Sequence, residues 1–218
     1  RLGKADDGLA ETHAIILEII KNHKRIIFNG NGYCEDWVVE AGQRGLPNIR
    51  TTVDAIAAIN AEKNKALMAK HGVLSRVEME SRTEIQYEIY IKTINIEGLT
   101  AVEIAKRQIL PAVINFKADL AASMASIEAV GGDTSVEKEL FGKVNVAMKS
   151  LYANIGQLEK ALDTATNLHG ESKAQAEAYR DLVFAAMNEL RADADVLETL
   201  VDADYWPLPT YSDLLFKV

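Results

Sequence analysis

Cysteine occurs once in the 218 residues, at position 34, so no intrachain disulfide can form. A single thiol suits a reducing, cytoplasmic setting. No apolar run reaches the roughly 18–20 residues that a membrane span needs. The opening "RLGKADDGLAE" has no apolar segment of the kind a signal peptide carries. Proline is scarce: Pro47, Pro207 and Pro209 fall in stretches without helical periodicity, and Pro111 is the exception. The four histidines, His13, His23, His71 and His169, never lie within four residues of one another. That removes the paired-histidine zinc motif. No Glu-x-x-His occurs, so the helix-borne di-iron signature is missing as well. Nor is there a G-x-S-x-G elbow for a serine hydrolase.

What is present favours helix. Alanine, leucine, glutamate and lysine are abundant, and apolar residues make up 48% of the chain. The net charge is −8, and the excess is local: residues 171–218 hold ten acids against four bases. Such a surface repels nucleic acid and anionic lipid, so neither is an expected partner. A solvated acidic helix face is the plain reading, and a basic protein partner is the alternative.

The stretch "FNGNGYCEDWVVEAGQRG" (residues 28–45) raises the question of a phosphate loop. A P-loop needs a lysine and a hydroxyl after its last glycine, and Tyr33 and Cys34 stand there instead. The G-x-G-x-x-G of a dinucleotide fold is incomplete. A turn into a helix fits better, with Glu35 and Asp36 at the positive end and Gly45 as the stop. Cys34 has no neighbouring histidine, so it reads as a cap-region residue rather than a nucleophile. The basic run Lys21–Arg25 ("KNHKR") reads as decoration of a helix C-terminus, with a phosphate contact as the alternative.

Periodicity predicts a helix over residues 9–24, striped by Ile15, Ile16, Ile19 and Ile20. "RIIF" (25–28) reads as a strand stub or a buried extended link. "LPNIRTT" (46–52) marks a boundary and ends in a Thr52 N-cap. A helix follows over 53–70, stopped at His71-Gly72, where the imidazole is expected to bond the last carbonyls, as is His169 before Gly170. Ser75 and Glu78 form a capping box that opens a helical pattern running to Val130. Pro111 is expected to kink it. Residues 94–116 are apolar on more than one face and are expected to be covered on several sides. After "GGDTS", Leu140, Val144, Met148, Leu151, Ile155, Leu158, Leu162 and Ala165 step by threes and fours. Tyr179, Val183, Ala186, Leu190, Ala194, Leu197 and Val201 form a second seam, so the two are expected to pair as an antiparallel hairpin. The tail "DYWPLPTYSDLLFKV" is apolar, aromatic and extended by Pro207 and Pro209. The fold expected is all-α: long antiparallel helices in a bundle or hairpin array, one long kinked helix, and an extended aromatic tail.

These residues supply no complete active site. A resemblance adds to them. "HKRIIFNGNGYCEDWVVEAGQRGLPNIRTTVDA" (23–55), "ESRTEIQYEIYIKTINIEGLTAVEIAKRQILPAVI" (80–114) and "LETLVDADYWPLPTYSDLLFKV" (197–218) closely resemble the type III glutamine synthetases. The likeness covers nearly the whole chain and matches the C-terminal portion of those longer enzymes. A start at Arg1 rather than methionine agrees with that. Two departures are Cys34, where a Ser or Thr cap is expected, and Gly98, where alanine is usual and where glycine weakens a helix by about 1 kcal/mol.

The resemblance implies a parent that joins ammonia to glutamate with ATP and Mg²⁺ or Mn²⁺, in a ring-stacked homo-oligomer. Its catalytic motifs lie upstream of this chain, so no catalytic, cofactor-binding or metal residue is carried over, and no cofactor is expected in this segment. A looser likeness to shorter glutamine synthetases sets the expected organisation: 1–52 as the end of the catalytic domain, 53–203 as a helical domain particular to type III, and 204–218 as a closing tail packed near residues 9–45. The segment is expected to be a structural and assembly module partnered with the upstream catalytic domain. The alternative is a regulatory module that docks an effector or a protein.

Overall fold

A computed structural model describes residues 7–27, 29–209 and 211–216. It divides into two compact units, Arg1–Ile49 and Arg50–Val218. The protein is all-α, and no strand occurs among the described residues.

The first unit holds α1 (Gly8–His23), a 3-10 turn (Lys24–Ile26) and α2 (Glu35–Gln43). Asp7 caps α1 by accepting hydrogen bonds from the Leu9 and Ala10 amides. Of the expected link at 25–28, Ile26 and Ile27 are exposed rather than buried, and Phe28 lies outside the described residues. Glu35 and Asp36 occupy the first turn of α2. Its end is a glycine stop: Gly45 adopts φ +76°, and the Leu46 amide reaches back to the Ala41 carbonyl at 2.9 Å. Only glycine takes that left-handed turn without a steric cost.

The second unit opens with α3 (Thr52–Ile59) and α4 (Glu62–Lys70). The single helix expected over 53–70 is thus two, and the cap is Thr51, whose hydroxyl accepts from the Asp54 amide. Side chains make the break: the Asn64 amide group donates to the Ala58 carbonyl at 2.7 Å, competing with helix continuation. Gly72 (φ +63°) ends α4, with the Val73 amide bonded to the Met68 carbonyl. The capping box at Ser75–Glu78 is formed in both directions. Bonds from the Ser75 amide and hydroxyl hold the Glu78 carboxyl below the usual carboxylate range.

The run from 76 to 130 is not one α-helix. It consists of α5 (Arg76–Ile104), a wide π turn (Ala105–Ile109) and α6 (Leu110–Ala129). The Leu110 amide bonds five residues back to the Ala105 carbonyl. The wide turn lies directly before Pro111, which has no amide to give and whose ring crowds the preceding turn of an ordinary helix.

Next come α7 (Ser135–Thr166), α8 (Ser172–Ala178), a second π turn (Tyr179–Phe184) and α9 (Ala185–Leu200). The Thr166 and Tyr179 hydroxyls lie 3.0 Å apart, and the Asn154 amide group donates to Asp193 at 2.7 Å. Rising numbers on one helix thus meet falling numbers on the other, and the two run antiparallel. Val144, Leu151, Ile155, Leu158, Leu162 and Ala165 of α7 are buried against Tyr179, Val183, Leu190 and Leu197. Ile94, Ala105, Ile109 and Val113 close the same core. A fully buried Leu or Val contributes about 1.5–3 kcal/mol, so this seam dominates the unit's stability. A smaller cluster joins Val53 and Ile56 of α3 to Tyr87 and Ala176.

Gly98 sits where α5 meets α7 and the second π turn. A Cβ there would lie 2.9 Å from Leu162 Cδ2 and 3.2 Å from Val183 Cγ1. Close approach, absent from the sequence argument, is what the glycine supplies.

One expectation about exposure is corrected. Ile96, Leu99 and Ile114 are half exposed or more, so residues 94–116 are not covered on every side. In the tail, Tyr205, Trp206 and Leu208 pack on the core of the second unit, whereas Leu214 and Leu215 of α10 (Tyr211–Phe216) are exposed. Tyr205 meets Phe116 edge to face at 5.8 Å and donates its hydroxyl proton to Asp119. Thr210 and residues 217–218 lie outside the described residues.

Candidate functional site

The turn at 29–34 is held by its own atoms. The Asn31 side-chain oxygen accepts from the Tyr33 amide at 3.0 Å, and the Cys34 thiol donates to the Asn31 carbonyl at 3.1 Å. This is an Asx turn that delivers the chain into α2. Cys34 is the N-cap by position but gives no side-chain cap bond. The Trp37 and Val38 amides bond to the Cys34 carbonyl. Tyr33 projects fully into solvent.

The histidines do not converge. His13 lies on α1, His23 ends it, His71 follows α4 and His169 follows α7. No imidazole hydrogen bond is made by His71 or His169 among the described residues, contrary to the expected capping role. Backbone and amide groups already fill that role. Gly72 and Val73 amides take the last carbonyls of α4, and the Asn167 amide group donates to the Asp163 carbonyl at 2.9 Å. Among the described residues, no three His, Cys, Asp or Glu side chains lie together in a way that could hold a metal ion. No helix among them is long and apolar enough to cross a membrane. Lys21, His23 and Lys24 sit at the end of α1, as helix-terminal bases do.

Polar chemistry is instead concentrated where helices cross. Tyr179, almost fully buried, donates to the Asn95 side-chain oxygen at 3.1 Å while Thr166 lies on its other side. Gln175 donates to the Ala165 carbonyl nearby. Arg180 forks to Asp181 at 2.6 Å and to Asp54 at 2.8 Å, tying α3 to the second π turn. The Asp181 hydrogen bond, reinforced by both carboxylates, lifts the Arg180 guanidinium above its ordinary range. Burial pushes the Tyr87 phenol upward. Tyr179, Gln175 and Arg180 are each matched to a partner on another helix. Sequence reasoning places Tyr179 in the second seam but misses these pairings, because Asn95 lies far from Tyr179 and Asp54 far from Arg180 in the chain, with no local motif to join them.

An apolar cleft of about 670 Å³ lies between α5, α9 and the start of the tail, lined by Ile104, Ile109, Leu190 and Trp206 among others. Trp206 Nε1 is buried without a hydrogen-bond partner among the described residues.

Against this geometry stand the relatives. Residues 11–128 match the glutamine synthetase C-terminal domain. The chain belongs to the glutamine synthetase family. It is 34% identical over 207 residues to the type-3 glutamine synthetase of Dictyostelium discoideum, covering 93% of this chain and 28% of the relative. A glutamine synthetase of Butyrivibrio fibrisolvens is 31% identical over 219 residues, covering 98% of this chain and 31% of the relative. One from Bacteroides fragilis is 26% identical over 221 residues, with 97% and 30% covered. The chain therefore spans about a third of the length of these glutamine synthetases. Of the crossing residues described above, Asp54 and Asn95 fall within the matched domain, whereas Thr166, Tyr179 and Arg180 lie beyond it.

Proposed function

We propose that this chain is the C-terminal part of a glutamine synthetase and acts in it as a structural and assembly module. The parent enzyme joins ammonia to glutamate at the expense of ATP, in the cytoplasm and as a homo-oligomer. ATP and Mg²⁺ or Mn²⁺ would be needed by that reaction. The described residues of this chain do not fit the metals, because they bring no carboxylate cluster together. No step of the ligation is assigned to them, and the active site is assigned to the portion upstream.

The observation that carries this reading is the first unit. Among its described residues only Ala41 is buried, while α1 presents Leu9, Ile16, Leu17, Ile19 and Ile20 at 45–68% exposure. Forty-odd residues with one buried side chain cannot stabilise themselves. An apolar surface of that kind marks a contact, which supports residues 1–52 as the end of a larger catalytic domain. The second unit has its own core and suits a module added to that domain.

The test is removal of residues 53–218 from the parent enzyme, followed by measurement of mass and of ligase activity. Loss of the assembled mass together with activity supports the assembly role. An intact oligomer with altered response to effectors would support the regulatory reading and overturn this one. The 218-residue chain alone is expected to form no γ-glutamyl product, and measurable formation would overturn the placement of the active site upstream.

A further inference from the structure

The outward face of α5 carries a second apolar seam. Its core face is marked by Met79, Thr83, Tyr87, Ile94 and Gly98. At about 100° per residue, Ile85, Ile89, Lys92, Ile96 and Leu99 fall roughly 180° away, on the solvent side. Ile85, Ile89, Ile96 and Leu99 are 51–63% exposed. Their spacing of four, three, four and three residues is that of a coiled-coil seam, and charged Arg82 and Glu103 extend it by one step at each end. Ile85 edges a groove beside Ile56 and Ile59 of α3, but the helix needs only its inner face for the fold, and Ile89, Ile96 and Leu99 are left exposed on the solvent side.

We infer that this face binds a second copy of the same chain, antiparallel, across a two-fold axis close to Lys92. Two features of the row select that occupant. The row reads nearly the same in both directions about Lys92. Reversing one copy sets Ile85 beside Leu99 of the second copy and Ile89 beside its Ile96. The same reversal sets Arg82 near Glu103 of the second copy at both ends. Parallel copies would instead set Arg82 on Arg82 and Glu103 on Glu103. Glu103 is paired with Arg107 at 3.1 Å on the exposed helix surface, an arrangement weak enough to exchange. Lys92, the single polar member of the row, bonds to Glu88 at 2.9 Å. Near the axis each Lys92 meets Glu88 of the other copy as readily as its own. A lone lysine in such a seam fixes register at a cost in strength. Opposed helix dipoles also favour the antiparallel arrangement. The contact is isologous, so it closes as a dimer.

This deepens the assembly reading and rests on it. The test uses the 218-residue chain in a Cys34→Ser background. Light scattering is expected to give a dimer at about 50 µM chain, in keeping with a small interface. The double variant Ile89→Asp, Ile96→Asp changes only solvent-side positions; it is expected to keep the helical circular dichroism and weaken the dimer at least about a hundredfold. Lys92→Cys is expected to form a disulfide-linked dimer on mild oxidation, and Ser150→Cys on α7 is not. A monomer up to about 500 µM, or Lys92→Cys failing to crosslink, overturns the inference. So does an oligomer whose mass the double aspartate variant leaves unchanged, an outcome that leaves the assembly role standing on another face. Loss of the assembly role itself is read separately, from the truncated parent enzyme.

Discussion

Helices α1 and α7 share one kind of sequence and have opposite fates. Both carry aliphatic side chains at helical spacing on one face and charges on the other. In α7 that face is buried from Val144 to Ala165, against Tyr179, Val183, Leu190 and Leu197. In α1 no side chain is buried. Apolar periodicity therefore reports that a helix has a face to cover, and says nothing about whether the cover lies in the same chain. The exposed row on α5 teaches the same lesson within a single helix, with one face answered by α7 and α8 and the other left to solvent.

The comparison can be broken by substitution. The largest effect is expected at the centre of the buried seam. Leu151 is fully buried, and Leu151→Ala should lower stability by about 2–5 kcal/mol in a denaturant titration. A loss below about 0.5 kcal/mol would mean the seam is not the core. Gly98→Val comes next. Its added methyl groups enter the space of Leu162 and Val183, so a loss of about 1–3 kcal/mol is expected, set against the small gain in helix propensity. If stability rises instead, the close approach at that crossing is wrong.

A smaller effect is expected at Ser75. Ser75→Ala removes the hydroxyl half of the capping box and should cost about 0.5–2 kcal/mol. The Glu78 half has a pH signature. Its carboxyl is held low in the folded state, so its contribution is present above the ordinary carboxylate range and is lost as pH falls through the lowered value. A Glu78→Gln chain that keeps the parent's full stability loss in acid would contradict that link, whereas Ser75→Ala leaves the Ser75 amide bond to Glu78 in place. The smallest effect is expected on α1. Ile19→Ala, at a position 54% exposed, should change the stability of the isolated chain by no more than about 0.5 kcal/mol. A loss as large as that at Leu151 would erase the contrast between the two helices.

The sequence exposed the elements that depend on near neighbours. Glycine stops at Gly45, Gly72 and Gly131 were legible because a left-handed turn leaves glycine as the residue of least strain. The Ser75–Glu78 box was legible because both partners lie within one turn. The break between α3 and α4 was not, since it rests on the Asn64 amide group rather than on glycine or proline. Apolar character alone predicts burial for Ile96 and Leu99, yet both are more than half exposed, since an apolar side chain is not bound to lie inside. Gly98 looked like a weakness because its partners, Leu162 and Val183, are distant in the chain. At the candidate site, the turn at Asn31–Cys34 could be read locally. The crossing of Asn95, Thr166 and Tyr179 could not, because it exists only once three helices are packed.

The π turn before Pro111 also sets the angular phase of everything after it. An ordinary helix advances about 100° per residue, and a five-residue closure inserts one residue without the matching advance of the core stripe. Val113 is thereby turned fully inward and Ile114 is left half in solvent. Deleting one residue between Lys106 and Gln108 would let α5 and α6 fuse into a continuous spiral with the downstream stripe still facing the core, because the residue removed carried no matching advance. Threading all of these residues through an ordinary spiral would instead turn that stripe by about 100° and carry Val113 out of the core. The wide turn absorbs a one-residue frameshift in three dimensions, and the inner surface of α6 holds its place because the extra residue is taken up there.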